Sequence, residues 1–168
     1  MVQRGNRRQQ TFFCAADYAR YVDLLHNACR LAETEVWSWC LMPNHVHLLL
    51  VPSSAKALSR VMGSAHQTYA WAINRQRGWT GCLWQGRYFS VSLDDEDTAA
   101  VARYIELNPV RAKLVTAPEQ WRWSSAAARM SNAADQLIGP PIPQSLKAVG
   151  PWGRYLTDQV EAGLGTGI

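Results

Sequence analysis

Two stretches of the chain place apolar residues three or four positions apart, which predicts two amphipathic helices. The first covers Asp17 to about Ala32, and the second covers Lys56 to Arg77. Gly78 directly follows the second stretch, as is typical of a helix C-terminus. The apolar stripes consist of Tyr18, Tyr21, Val22, Leu25, Cys29 and Ala32 in the first helix and of Leu58, Met62, Ala65, Tyr69 and Ile73 in the second.

Shorter apolar runs predict the strands of a sheet on which these helices pack. Val36–Met42, rich in Trp and Cys, and Leu48–Val51 are joined through Pro43-Asn44, which indicates a β-hairpin. Side chains alternate along a strand. His45 and His47, at the start of the second strand, are therefore expected to project from the same face.

The remaining pattern completes an α+β order of elements. A short N-terminal strand is expected, Leu83–Val91 reads as a strand broken by a glycine, and Asp95 to Asn108 reads as a third helix. This order of elements predicts an α+β fold in residues 1–130, namely strand, helix, strand, strand, helix, strand and helix. Residues 131–168 are rich in Pro and Gly, which favours an irregular tail with one short helix near Tyr155–Ala162.

The composition indicates a single globular domain. The chain has 168 residues, of which 48% are hydrophobic, so it can bury a core of its own and is too apolar to be a disordered tail. No apolar run approaches the ~20 residues that span a bilayer, and no signal-peptide pattern opens the sequence, so a cytoplasmic location is expected. The four cysteines are scattered without a CxxC pair, which favours reduced thiols over disulfides or a zinc site.

The charge distribution indicates a nucleic-acid partner. The formal net charge is +4, and no acidic residue occurs between Glu35 and Asp94, so the middle third presents a positive surface. The basic N-terminal residues have the alternative interpretation of an ordinary solvated arm, and the aromatic residues have that of packing across a sheet. The candidate nucleic-acid-binding residues are Arg4, Arg7, Arg8, Arg60, Trp71, Trp84, Gln85 and Arg87.

Two sets of side chains are candidates for chemistry. Two imidazoles on one strand face can bind a divalent metal ion, although a hydrogen-bonded histidine pair at a sheet edge has the same sequence pattern. On the third helix, Tyr104 and Asn108 are four residues apart and share a face with Ile105. Pro109 breaks or redirects the helix at that point, so Asn108 also has the simpler interpretation of a helix cap.

Four short motifs follow one another along the chain. They are Pro43-Asn44-His45-Val46-His47, Leu83-Trp84-Gln85-Gly86-Arg87, Tyr104-Ile105-Glu106-Leu107-Asn108-Pro109-Val110 and Trp121-Arg122-Trp123-Ser124-Ser125. In this order and at these intervals they resemble the REP-associated tyrosine transposases, which are bacterial relatives of the single-strand insertion-sequence transposases in the HUH (His-hydrophobic-His) nuclease superfamily. The resemblance covers about residues 3–130, and four motifs in register are highly specific.

The resemblance implies a ferredoxin-like or RRM-like fold, with a central antiparallel sheet and helices packed on one face. It also implies that His45 and His47 bind Mg²⁺ or Mn²⁺ with Asn108 as third ligand, and that Tyr104 is the nucleophile. The expected product is a 5′-phosphotyrosine link and a free 3′-hydroxyl. The implied substrate is single-stranded DNA with a palindromic hairpin, and a monomer is expected, with a dimer as the alternative.

A second class of function is compatible with the same resemblance. The fold alone would serve a DNA- or RNA-binding module without catalysis, but a binder has no need for the complete histidine, tyrosine and asparagine set. Tyr69 and Tyr88 are rival nucleophiles, and each lacks an amide four residues later on a helix. The resemblance departs from the family in two respects, because relatives usually begin their first strand several residues upstream of the Gln3–Asn6 match and because the C-terminal tail carries no motif.

Overall fold

A three-stranded antiparallel sheet is the centre of the computed structural model, which describes residues 1–139 and 144–157. The strands are β1 (Val2–Arg4), β2 (Thr34–Met42) and β3 (His45–Pro52). The helices are α1 (Ala15–Leu31), α2 (Ala55–Arg77), α3 (Thr98–Glu106), α4 (Asn108–Arg111), α5 (Ala126–Ser131), α6 (Gln144–Lys147) and α7 (Trp152–Thr157). The predicted α+β class with an antiparallel sheet is confirmed.

The two long helices lie where the apolar periodicity predicts them. The hydroxyl of Ser54 caps the start of α2 by accepting the backbone N–H of Ala57 at 3.2 Å. Gly78 ends this helix with a φ of 64°, a left-handed conformation that glycine adopts without steric cost. None of the helices in the described residues combines the length and the apolar character needed to cross a membrane.

The middle strand, β3, carries both predicted imidazoles. His47 lies opposite Val2 of β1 and Cys40 of β2. His45 lies opposite Arg4. Because directly opposed residues point to the same side of a sheet, these five side chains share one face, here called the imidazole face.

Helices cover both faces of the sheet, which corrects the prediction that they pack on one face. On the side away from the imidazoles, α1 and α2 form one hydrophobic cluster with Leu41 and Leu48. On the imidazole face, Leu49 belongs to a second cluster with Ile105 of α3. The physical reason is visible in β2, whose residues Trp39–Met42 are all buried, since a strand that is apolar on both sides needs a cover on both sides.

The predicted fourth strand reaches the free edge of β1 without forming a regular strand. Trp84 makes an isolated bridge with Gly5, and Phe89 makes another with Val2. Trp84 and Phe89 are five positions apart, whereas their partners Gly5 and Val2 are only three positions apart. Two extra residues of the segment 84–89 therefore loop out of the pairing. Gly86 lies in this loop with a φ of 143°, a conformation that other residues rarely adopt.

The described part of the C-terminal segment packs on α3. Leu146 of α6 and Trp152 and Leu156 of α7 are buried in the cluster that contains Ile105. The short helix predicted near Tyr155–Ala162 overlaps the end of α7, and its remainder lies outside the described residues. The tail therefore contributes to the core on the imidazole face.

Candidate active site

The two histidines of β3 lie side by side, with their ring centroids 4.8 Å apart. Burial, followed by the charges of His45, the N-terminal amine and Arg4, lowers the pKa of His47 to about 3. Burial and then the charge of Arg4 lower the pKa of His45 to about 4. Both imidazoles are therefore neutral at neutral pH, which is the state in which histidine binds a metal ion.

The hydrogen bonds around these rings leave a nitrogen lone pair on each. His45 Nδ1 lies 2.6 Å from Asn44 Oδ1, an oxygen that can only accept, so Nδ1 carries the proton and Nε2 keeps its lone pair. Asn44 is held in turn by donating Nδ2 to the Arg8 carbonyl at 3.0 Å. His47 Nε2 is buried and has no hydrogen-bond partner among the described residues, an arrangement that ordinarily costs roughly 1–3 kcal/mol. The two residues therefore fit a divalent metal ion, which would satisfy the buried nitrogen.

Asn108, the third predicted ligand, stands at the junction of α3 and α4. Its Nδ2 donates to the carbonyl oxygens of Tyr104 at 2.8 Å and Ile105 at 3.3 Å, so the side chain caps the end of α3. Because the nitrogen makes both bonds, the amide oxygen stays available to accept or to bind a cation. Within the described residues no group of three or more His, Cys, Asp or Glu side chains is placed to hold a metal.

Tyr104 lies beside His47 on the imidazole face. Their ring centroids are 5.9 Å apart, and the rings meet edge to face with an interplanar angle of 79°. The Tyr104 side chain is 47% exposed, so a ligand can reach it from solvent. The guanidinium carbon of Arg111 lies 4.5 Å from the centroid of the tyrosine ring, which adds positive charge to this part of the site.

A buried carboxylate that the sequence analysis did not single out holds α3 in place. Glu106, two residues after Tyr104, is fully buried. Its partners come from positions 19 to 68 residues away, so no local pattern could have identified it. The four donors to its carboxylate are the hydroxyls of Ser38 and Ser125, Nε of Arg129 and the indole N–H of Trp152.

Most of the predicted nucleic-acid-binding side chains are exposed. Arg4 is half-buried and lies on the imidazole face, opposite His45. The Arg75 guanidinium lies 5.3 Å from the centroid of the Trp71 ring, so that indole already has one cationic neighbour. The exposed members of the set are Arg7, Arg8, Arg60, Trp71, Gln85 and Arg87.

The structure buries Trp84, which corrects its prediction as a stacking surface for a base. Trp84 is 7% exposed, and its indole N–H donates to the His66 carbonyl at 3.1 Å. Its bridge with Gly5 directs it to the side of the sheet that α1 and α2 cover. Tyr69 packs against the same indole and is completely buried, with its hydroxyl donating to the Thr11 carbonyl at 2.8 Å, so this rival nucleophile is not accessible.

Comparison with known proteins adds a family and a fold. The family model described as "Transposase IS200 like" matches residues 1–108, a segment that contains both histidines, Tyr104 and Asn108. No curated protein matches the chain. The solved structure of a REP-associated tyrosine transposase bound to a REP hairpin is similar, with a TM-score of 0.59 and 17% identity over 85% of this chain and 84% of that chain. At this identity the likeness shows a shared fold.

Proposed function

We propose that this chain, which belongs to the family of IS200-like transposases, is a metal-dependent endonuclease and strand transferase that nicks single-stranded DNA beside palindromic hairpins. The observation that carries the proposal is the Tyr104 ring, exposed and 5.9 Å from the ring of His47, whose buried Nε2 has no partner among the described residues. A nucleophile beside nitrogens that can bind a metal ion is an arrangement suited to metal-assisted phosphoryl transfer.

The residues present fit a bound metal ion. His45 and His47 would hold it through ring nitrogens and Asn108 through its amide oxygen, a mixed nitrogen and oxygen set that suits Mg²⁺ or Mn²⁺ better than structural zinc. When bound, the ion offsets the negative charge that develops on the scissile phosphate. Asn44 serves the site by fixing the tautomer of His45, since its amide oxygen accepts from Nδ1 at 2.6 Å.

The chain's own nucleophile is the hydroxyl oxygen of Tyr104. This oxygen forms a bond to the scissile phosphorus, the bond from phosphorus to the 3′-oxygen breaks, and the tyrosine proton is released as the 3′-oxygen gains one. The Arg111 guanidinium lies over the ring of Tyr104 and places positive charge where the negatively charged phosphate would be attacked. The 5′-phosphotyrosine retains the phosphodiester energy, so a 3′-hydroxyl can attack it and reseal or transfer the strand without ATP.

The substrate is inferred from charge and from the similar structure. Residues 36–93 contain no acidic side chain, so the exposed part of this segment is positively charged and attracts phosphates. The similar protein is a REP-associated tyrosine transposase bound to a REP hairpin, and we extend that substrate class, with a monomeric protein, to this chain. The alternative is a hairpin DNA- or RNA-binding module that keeps the fold without cleavage.

The test mixes the protein with end-labelled, hairpin-bearing single-stranded DNA and Mn²⁺ and resolves the products on a denaturing gel. We expect a covalent protein–DNA adduct that Tyr104→Phe and His47→Ala abolish. Tyr88→Phe is the matched control, because it removes a tyrosine hydroxyl whose described partner is Ser59. An adduct that survives Tyr104→Phe would assign the nucleophile elsewhere, and a wild-type protein that binds cognate hairpins without forming an adduct would favour the binding module.

A further inference from the structure

Phe89 is a large aromatic residue in line with the candidate active site. It exchanges two backbone hydrogen bonds with Val2, at 2.8 and 2.9 Å, and Val2 in turn lies opposite His47. Directly opposed residues point to the same side of a sheet, so these three side chains form one row across the imidazole face. Strands lie roughly 4.8 Å apart, so Phe89 stands about 10 Å from His47.

The ring of Phe89 contributes little to the core. It is 68% exposed and belongs to neither hydrophobic cluster of the described residues. Stabilisation by apolar burial scales with the area removed from water, so this side chain gives the fold only a small part of what a buried phenylalanine would. Most of its surface is left open to another ring.

Three arginines belong to the elements that form or border this row. Arg4 lies on the same face, Arg111 lies over the ring of Tyr104, and Arg87 is exposed in the segment that carries the phenylalanine. Residues 36–93 add no acidic side chain. A single nucleic-acid strand matches both features, since its bases offer π-faces to an aromatic ring and its phosphates suit the arginines.

We propose that Phe89 is a stacking platform for an unpaired nucleobase of the DNA strand held at the candidate active site. The proposal deepens the proposed function, because it names how the same site holds its substrate. Every base has a π-face, so the platform adds affinity and orientation without selecting a sequence. Phe89 thus takes the role that sequence patterning gave to Trp84, which the pairing with β1 turns to the other side of the sheet.

The test measures binding without chemistry. Fluorescence anisotropy follows a short fluorescein-labelled oligothymidylate in low-salt buffer with EDTA, so no cleavage contributes. We expect Phe89→Ala to weaken binding about 5- to 150-fold, as alanine substitution of a stacking residue does. Phe89→Leu keeps the apolar bulk without the π-face and should weaken binding nearly as much, whereas Phe89→Trp should bind at least as tightly as the wild type.

Val91→Ala is the matched control, because it removes apolar surface that is 60% exposed in the same segment, and it should leave binding unchanged. Binding by Phe89→Leu equal to that of the wild type, an unchanged Phe89→Ala, or no wild-type binding would overturn the proposal. A wild-type dimer that Phe89→Ala converts to a monomer in size-exclusion chromatography would identify a protein interface instead. If the wild type forms the adduct but Phe89→Ala binds DNA as tightly as the wild type, the stacking platform alone is contradicted. If Phe89→Ala loses binding but the wild type forms no adduct, the nucleophile alone is contradicted.

Discussion

Replacing Glu106 by glutamine perturbs the buried network that holds the helix of the proposed nucleophile. The carboxylate accepts hydrogen bonds from Ser125 Oγ at 2.5 Å, from Arg129 Nε at 3.0 Å and from the Trp152 indole at 2.6 Å. Glutamine keeps one acceptor oxygen and places an NH₂ group where the other oxygen stood. That NH₂ group then faces another hydrogen-bond donor, and the Arg129 guanidinium loses its counter-charge.

The magnitude follows from the burial of the ion pair. The side chains of Glu106 and Arg129 are 0% and 8% exposed, so solvent does little to compensate the unpaired cation. Removing one partner of a buried pair typically costs 3–5 kcal/mol, and because glutamine retains part of the network we expect a loss of about 3 kcal/mol. That is a large share of the 5–15 kcal/mol by which domains are usually stable, yet it leaves the protein folded.

Urea unfolding followed by tryptophan fluorescence measures this loss. With an m-value of about 2 kcal/mol/M, Glu106→Gln should lower the unfolding midpoint by about 1.5 M. The matched control is Glu119→Gln, which changes an exposed glutamate and should shift stability by less than about 0.5 kcal/mol. The reasoning is refuted if the two variants shift the midpoint equally, because the buried pair would then contribute no more than a surface charge.

Three further predictions concern a ligand-orienting amide, a core indole and a buried imidazole. Asn44→Ala releases the proton on His45 Nδ1 from its acceptor and should weaken Mn²⁺ binding about 10- to 100-fold, and a calorimetric titration equal to that of the wild type would contradict this. Trp84→Ala should cost about 3–5 kcal/mol of unfolding free energy, whereas Phe89→Ala, which changes an exposed ring, should cost much less. Equal melting temperatures of these two variants would be evidence against the burial of the indole. Burial lowers the pKa of His66 to about 4, below its unfolded value of about 6.5, so its stabilising contribution is complete above pH 6.5 and is lost as the pH falls towards 4. Wild type should therefore lose about 3 kcal/mol more than His66→Gln between pH 7 and pH 4, and parallel stability curves for the two proteins would exclude this effect.

The local features of the fold were predictable because each depends on a short window of sequence. The stripe that begins at Tyr18 and the glycine at position 78 fix α1 and the end of α2, since helical periodicity and a left-handed C-terminus need only neighbouring residues. The period of a strand likewise places His45 and His47 on one face. The same helical period predicts one helix from Asp95 to Asn108, whereas α3 ends at Glu106 and Asn108 is the first residue of α4.

The features that depend on distant pairing were not predictable in this way. Whether an aromatic residue in the glycine-broken segment faces the core or solvent depends on its register with β1. The bridge to Gly5 places Trp84 on the buried side, and the bridge to Val2 places Phe89 on the imidazole face, where it is exposed. Glu106 resembles any helical glutamate until partners such as Ser38, 68 residues earlier, are brought to it. The cover on both faces does have a local signal, namely the uninterrupted apolar run Trp39–Met42, because a strand that is apolar on both sides needs a cover on both sides.

The most direct measurement is to locate the covalent bond between protein and DNA. After reaction with a cognate hairpin and Mn²⁺, nuclease and trypsin digestion release the peptide Tyr104–Arg111, which contains a single tyrosine. Mass spectrometry should find this peptide carrying a nucleotide 5′-phosphate on Tyr104 and should find it unmodified when His47 is replaced by alanine. A nucleotide on any other peptide, such as the one that contains Tyr88, would contradict the account of this site.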